Sequence, residues 1–229
     1  MDKTTKILRR EVFTPGSSLQ VRETGGDAEA PRIIEGYAIL FNTPSAPLWD
    51  DDESVAREVI SPEAVTQALL DTSDIKLTMF HNRELILARS NKGKGTLKYE
   101  IDDKGVKFSC EVPDTVDGDK AYNLISRGDI AGCSFMFTVL YKDPAAVARE
   151  EVVLQDGRRG ITFTIRAIEA IYDFTLAADP AYPQTEVNAR ERIKEDAARV
   201  ESRPTELTEC AREQIRSLRT LATAKSINY

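Results

Sequence analysis

One serine and one histidine of this sequence have the chemical types of a nucleophile and its general base. Ser134 lies in the stretch GDIAGCSFMF, residues 128–137, at the start of an apolar run. His81 is the single histidine of the chain and directly follows the apolar stretch IKLTMF, residues 75–80. A serine hydroxyl needs an adjacent base to attack a carbonyl, and imidazole suits that role near neutral pH. If the protein is a serine hydrolase, His81 is the only histidine that could act as this base. A lone histidine at a strand end, however, is more often structural or simply exposed.

Cys133 is the competing nucleophile at the same place. Successive residues of a strand point to opposite faces, so Cys133 and Ser134 cannot both face His81. Gly132 removes one side chain just upstream, which leaves room for a substrate backbone beside Ser134. We therefore expect Ser134 at the site and Cys133 in the packed interior. Two alternatives stay open: a cysteine nucleophile, and a serine that is there only because a small residue fits a tight turn.

A third group would orient His81 and stabilise its protonated form. The stretch AIEAIYDFTLAADPAYP, residues 167–183, offers three carboxylates, those of Glu169, Asp173 and Asp179. Asp173 stands inside the apolar run, where a carboxylate is costly unless it is paired. The other two lie nearer the ends of the predicted strand and are explained as solvated. We predict Asp173 as the third group, and the alternative is a buried carboxylate that binds backbone amides at one end of the sheet.

No metal or cofactor site is predicted from the sequence. One histidine and scattered cysteines do not give the ligand spacing of a zinc site. The acidic stretch WDDDES, residues 49–54, lacks the alternating carboxylates and the glycine of a calcium loop. The stretch SNKGKGT, residues 90–96, lacks the frame of a phosphate-binding loop and leads into a strand. We expect a solvated acidic loop and a basic hairpin tip, respectively.

The bulk composition is that of a globular protein with one core. The chain has 229 residues, 41% of them hydrophobic and 30% charged, which allows one substantial core with room for tails. The net charge of −7 argues against nucleic acid as the main ligand. No apolar run approaches the ~20 residues that cross a membrane, and the charged first residues do not resemble a secretory signal. Cys110, Cys133 and Cys210 are scattered, which suggests reduced thiols in a cytoplasmic setting.

The hydrophobic patterns predict about seven strands and two helices. One helix is expected over residues 61–70, with Ser61 as its N-cap, and the other over residues 117–128. The residues DDKG, 102–105, separate two alternating stretches and predict a hairpin loop. Because the connections are short, we expect mostly antiparallel pairing. The predicted fold is α+β and β-dominated: a small, closed or nearly closed, mostly antiparallel β-barrel with peripheral helices.

The composition changes near residue 190, which predicts two parts: a barrel domain, 1–190, and a charged, helical C-terminal tail, 191–229. Within the tail, the stretch TELTECAREQIRSLRTLA, residues 205–222, has apolar residues at helical spacing. This helix either packs on the core or is a detachable element that binds a partner or dimerises.

Five motifs, in order, resemble those of the prohead (capsid maturation) serine proteases of tailed phages, a family related to herpesvirus assemblin. They are IEGYAILFN (34–42), REVISPEAV (57–65), LTMFHNRELILARS (77–90), PDTVDGDKAYNLISRGDIAGCSFMF (113–137) and IYDFTLAADPAYPQTEV (171–187). The fourth is the best match and resembles a family pattern that ends in G-x-I-x-G-x-S-F-x-F. Glu63 and Val65 depart from the family pattern, and Asp173 stands where the family more often has Glu.

The resemblance implies a herpesvirus-protease-like barrel and a catalytic triad. His81 would be the base, Ser134 the nucleophile and Asp173 the third member, without a metal or cofactor. The family's use of an arginine-containing loop in assemblin draws attention to Arg158 and Arg159 in DGRRG, although a hairpin turn is the preferred interpretation of that stretch.

The resemblance also implies the substrates and the place of action. The major capsid protein and its scaffold segment would be cleaved inside the immature capsid in the host cytoplasm, and the protease would cleave itself. The tail from about residue 190 would be a docking or self-processing segment. Neither nucleic acid nor a membrane is expected as a partner, and a homo-oligomer is left open. The competing hypothesis is a non-catalytic capsid-assembly or scaffold-interaction protein.

Overall fold

The computed structural model describes residues 10–14, 19–23 and 31–178. The predicted tail, 191–229, lies outside the described residues, so its separation from the domain 1–190 stays a prediction. Asp179, one of the three candidate carboxylates, also lies outside them.

The described residues form fourteen strands, two α-helices and one 3-10 turn. The strands are β1 (Arg10–Thr14), β2 (Gln20–Glu23), β3 (Arg32–Leu40), β4 (Trp49–Asp50), β5 (Ser54–Ile60), β6 (Asp74–Met79), β7 (Asn82–Asn91), β8 (Lys94–Gly95), β9 (Lys98–Ile101), β10 (Gly105–Glu111), β11 (Gly132–Val139), β12 (Val147–Val153), β13 (Arg159–Ile165) and β14 (Ile168–Ala177). The helices are α1 (Gln67–Thr72) and α2 (Val116–Ser126), and the 3-10 turn is Pro62–Ala64.

The described strands are shared among three sheets. The strand order of the first is β1-β11-β14-β6-β7-β8, that of the second is β2-β3-β10-β9, and that of the third is β12-β13-β5-β4. Pairing is mostly antiparallel, as predicted, but β14 pairs with β6 and β13 pairs with β5 in parallel. The expected closed barrel is wrong for this part of the chain: each sheet is open, and two of the sheet edges are strands of only two residues, β4 and β8.

Strand β5 was not predicted from the sequence. Its buried positions are Ser54, Ala56, Glu58 and Ile60, so the interior face carries two polar residues. The face that is half exposed carries Val55 and other residues of mixed type, which hides the alternation that predicts a strand. The parallel partner of β5 is β13, more than ninety residues away in the chain.

The first predicted helix begins later than expected. Ser61 makes no side-chain capping bond, and the 3-10 turn ends at Val65, which is extended. Thr66 is the N-cap of α1, because its hydroxyl accepts a hydrogen bond from the N–H of Leu69. The second helix agrees better with the prediction, since α2 ends near Gly128, whose φ of +81° suits a residue just beyond a helix.

Part of the core lies between the first and second sheets. Alternation along β14 turns Phe174 inward, where its ring centroid lies 6.2 Å from that of Phe108 on β10. On β11 the rings of Phe135 and Phe137 stack at 4.8 Å, and both residues are fully buried. The opposite face of β11 and β14 is therefore the one available for chemistry. No helix in the described part of the chain is long and apolar enough to cross a membrane.

Candidate active site

Strand register brings a row of polar side chains together on the first sheet. Ser134 on β11 is the register partner of Thr175 on β14, and Thr175 is the partner of Thr78 on β6. Register partners lie on the same face of a sheet, and so do residues two apart on one strand. Asp173 therefore shares the face of Ser134 and Thr175. All four side chains are buried.

His81 lies in the two-residue turn that joins β6 to β7. Phe80 and His81 have φ values of +55° and +53°, the left-handed conformation that a tight hairpin of the I′ kind requires at both positions. Glycine, asparagine and aspartate are the residues that favour this conformation, and an ordinary side chain costs about 1–2 kcal/mol there. The turn is held from β14, because the Phe80 N–H donates to the main-chain oxygen of Leu176 at 3.1 Å.

The imidazole of His81 bridges the other two predicted site residues. Its Nδ1 lies 2.8 Å from Oδ1 of Asp173, and its Nε2 lies 3.0 Å from Oγ of Ser134. In the tautomer that carries its proton on Nδ1, the ring donates to the carboxylate and accepts from the hydroxyl. Asp173 is 2% exposed and Ser134 is 3% exposed, whereas 18% of the imidazole is exposed. The arrangement is a relay of carboxylate, imidazole and hydroxyl in which the central imidazole is the most exposed member.

Cys133 points away from this relay. Alternation places its side chain on the opposite face from Ser134, and the residue is 0% exposed. Burial raises the pKa of the Cys133 thiol far above its ordinary value, so the thiolate is not available near neutral pH. The expected division, with Cys133 packed and Ser134 facing His81, agrees with the geometry.

The remaining candidates of the sequence lie elsewhere. Glu169 is exposed near the start of β14. Arg158 belongs to the turn between β12 and β13, where its guanidinium contacts the carboxylates of Asp50 and Asp156 and donates to the main-chain oxygen of Asp51 at 3.0 Å. Its charge is therefore matched by Asp156 of its own hairpin and by Asp50 of β4, and its position in a hairpin turn agrees with the preferred interpretation. Among the described residues, no cluster of three or more histidine, cysteine or acidic side chains could hold a metal ion.

Thr175 is a site residue that the sequence analysis missed. Its hydroxyl accepts from the main-chain N–H of His81 at 2.8 Å and from the Thr78 hydroxyl at 2.9 Å. It also donates to the main-chain oxygen of Thr78 at 3.1 Å. The available signal was the spacing of Thr175 two residues after Asp173 in an apolar run, which puts both polar groups on one face.

A groove adjoins the carboxylate end of the relay. Its volume is about 400 Å³, and Asp173, Tyr172, Lys76 and Arg83 are among its lining residues. Asp74, which also lines the groove, accepts hydrogen bonds from the Arg89 guanidinium and from Lys76. The bond from Arg89 is the main reason why the pKa of Asp74 lies well below its usual value. The groove is therefore lined by both positively and negatively charged side chains, next to the largely buried relay.

The comparison with protein families agrees with the motifs. Residues 17–199 match the family described as caudovirus prohead serine protease, which confirms the predicted family resemblance over most of the chain. Among solved structures, the capsid assembly protease of bacteriophage T4 is similar at 12% sequence identity and a TM-score of 0.34. That similarity covers 72% of this chain and 96% of the T4 protein. No curated protein matches the chain.

Proposed function

The chain belongs to the caudovirus prohead serine proteases, and we propose that it cleaves capsid proteins with a catalytic triad of Ser134, His81 and Asp173. The observation that carries this proposal is the position of the single imidazole. It lies within hydrogen-bond distance of both a serine hydroxyl, at 3.0 Å, and a buried carboxylate, at 2.8 Å. A nucleophile, a base within reach and a group that orients the base are the parts that acyl transfer needs.

In the proposed reaction, His81 takes the proton of Ser134 at Nε2 while the serine oxygen attacks the peptide carbonyl. The protonated imidazole is stabilised by the Asp173 carboxylate at Nδ1 and returns its proton to the leaving amine. The peptide C–N bond breaks, and the acyl group stays on Ser134. Water, deprotonated by His81, then hydrolyses the ester and restores the hydroxyl.

We infer that the substrates are the major capsid protein with its scaffold segment, and the protease itself, inside the immature capsid. Membership of the prohead family supports this substrate class. The shorter reach of Asp173, compared with the glutamate more common in the family, is matched by its contact with His81 at 2.8 Å. The tail, 191–229, as a docking or self-processing segment is part of the same proposal.

A fluorophosphonate probe tests the proposal without a known cleavage sequence. The serine oxygen forms a bond to phosphorus, fluoride leaves, and the proton goes to the general base, so only an activated serine reacts rapidly. Trypsin would release residues 128–142, a peptide in which Ser134 is the only serine. We expect the label on this peptide, and we expect the chain co-produced with its phage's major capsid protein to shorten that protein.

Two variants and one control make the test specific. Ser134→Ala and His81→Asn should each abolish labelling and cleavage while the circular dichroism spectrum stays unchanged. Asparagine is chosen because it tolerates the positive φ at position 81. Ser126→Ala, which changes an exposed serine on α2, should label like the parent. Undiminished labelling and cleavage in either site variant would refute the triad and favour a non-catalytic assembly protein.

A further inference from the structure

We propose that Thr175 is a positioning residue whose hydroxyl holds the main chain of His81, so that the imidazole meets Asp173 and Ser134 together. The inference rests on the proposed function, because it assigns the residue that aligns the proposed base. The Thr175 hydroxyl does not touch the reacting atoms, and it acts through the main chain of His81.

The hydrogen bonds of Thr175 are complete and fix its hydroxyl in one orientation. A hydroxyl has one hydrogen to donate and two lone pairs to accept with. The hydrogen is used by the main-chain oxygen of Thr78, and the lone pairs are used by the Thr78 hydroxyl and the His81 N–H. Thr175 is 0% exposed, so water does not compete for these bonds. The His81 amide therefore meets an acceptor that cannot rotate away.

The turn that carries His81 lies outside the ladder of β6 and β7. Met79 and Asn82 are the last register pair before the turn, and the two turn residues stand outside the ladder. Neither Phe80 nor His81 is one of the glycine, asparagine or aspartate residues that dominate two-residue hairpin turns of this kind. The sequence of the turn does not itself specify this backbone, so tertiary contacts must hold it. The bond from the His81 N–H to Thr175 is one such contact, at the residue that matters for the proposed chemistry.

Strand β14 binds both the side chain and the main chain of His81. Asp173 contacts the ring, Thr175 contacts the backbone, and the two are separated on β14 by a single residue. Ser134 is the direct register partner of Thr175 on the neighbouring strand. The distance from base to nucleophile is thus set by the ladder between β14 and β11, both of which have strand neighbours on either side. The bond to Thr175 thus adds an attachment of the His81 main chain to the attachment of its ring, both from the same strand.

The test compares three substitutions of buried threonines. Thr175→Val keeps the shape and removes the hydroxyl, whereas Thr175→Ser keeps the hydroxyl. Thr138→Val removes a buried hydroxyl from the same sheet, where Thr138 lies 2.9 Å from the Tyr172 hydroxyl. With the fluorophosphonate we expect kinact to fall by about tenfold to hundredfold in Thr175→Val, with KI nearly unchanged. A misplaced base slows the reaction of the serine with the bound probe but does not weaken binding of the probe. Thr175→Ser and Thr138→Val should stay within about threefold of the parent.

Amide hydrogen exchange supplies a readout that does not depend on activity. In a Ser134→Ala background, Thr175→Val should accelerate exchange of the His81 amide, whose acceptor is lost. The Phe80 amide donates to the main-chain oxygen of Leu176, so its exchange should not change and serves as the internal control. If Thr175→Val does not fold, Thr175→Ala carries the same expectations.

The outcomes separate this inference from the proposed function. The inference fails if the hydroxyl-free variant retains kinact, if the His81 amide is unaffected, or if Thr138→Val or Thr175→Ser loses as much as Thr175→Val. It also fails if KI rises and kinact does not fall. If Ser134→Ala or His81→Asn is still labelled like the parent, the proposed function itself is refuted.

Discussion

The Asp173 carboxylate lies 2.8 Å from Nδ1 of His81, although 92 residues separate the two in the chain. Parallel pairing between β14 and β6 makes the contact, since it sets Asp173 level with Lys76 and brings the end of β6 beside Leu176. The histidine follows five positions after Lys76, so its ring extends back along β14 toward the carboxylate. A parallel pair of strands with a tight turn at its end thus joins distant residues into one site.

Asp173→Asn tests what this carboxylate contributes. The amide has nearly the same shape but cannot stabilise a protonated imidazole, and its NH₂ group favours the wrong tautomer. We expect kinact with the fluorophosphonate to fall by about 10²- to 10⁴-fold, with the fold unchanged. Glu169→Gln is the matched control, because it neutralises an exposed carboxylate on the same strand. A loss of less than about threefold in Asp173→Asn would remove Asp173 from the proposed triad.

Thiol chemistry tests the alternative nucleophile. Burial raises the pKa of Cys110 to about 12 and that of Cys133 higher still, so neither forms a thiolate at ordinary pH. In a Cys210→Ser background, iodoacetamide at about pH 8 should leave both thiols unmodified in the folded protein. Serine labelling should be unchanged after the treatment, and both thiols should react once the protein is unfolded in urea. Alkylation of native Cys133 together with loss of activity would favour the cysteine.

The ion pair between Asp74 and Arg89 predicts a pH-dependent contribution to stability. The Arg89 guanidinium is the main cause of the lowered pKa of Asp74. A depressed pKa gives stability that is complete above the unfolded value, about 4, and is lost as the pH falls toward the folded value. Because both side chains are more than a third exposed, Asp74→Asn should cost less than about 1 kcal/mol at neutral pH.

Urea unfolding at about pH 7 and about pH 3 measures this contribution. The difference between Asp74→Asn and the parent should be smaller at the lower pH. Asp103→Asn, an exposed change in the loop between β9 and β10, should have no measurable effect at either pH. A difference that grows on acidification would contradict the assigned sign.

The hairpin between β7 and β8 offers a stabilising substitution. Lys92 and Gly93 have φ values of +52° and +76°, so this turn also needs left-handed backbone at both positions. Lys92→Asn creates the Asn-Gly pair that such turns favour, and it should raise the free energy of unfolding by about 0.5–1 kcal/mol. Lys94→Asn, which lies outside the left-handed region, should not stabilise. Equal effects of the two changes in urea unfolding would contradict this explanation.

The sequence located the three proposed site residues better than it located the backbone that joins them. Asp173 was identifiable because a carboxylate in an apolar run must find a partner. The alternation of Cys133 and Ser134 predicted which of the two side chains faces His81. The turn at Phe80 and His81 has no glycine, asparagine or aspartate, so no local signal predicts its left-handed backbone. The role of Thr175 depends on that turn and could not be predicted before it.

The sheets were less predictable than the strands. Local alternation finds strands such as β9 and β10, with their hairpin loop at residues 102–104. It does not determine which distant strands pair, so the parallel ladders of β14 with β6 and β13 with β5 were missed. Glu58 and Ser54 on the buried face of β5 hid that strand altogether. The predicted count of about seven strands, against fourteen among the described residues, then favoured a closed barrel over three open sheets.

Phe174 stands between Asp173 and Thr175 on β14 and turns to the other side, where it packs near Phe108 on the second sheet. Asp173 and Thr175 on one face and Phe174 on the other divide this stretch of the strand between the proposed relay and the interior. A change of side chain at position 173 or 175 therefore alters the relay while it leaves the aromatic packing of Phe174 in place.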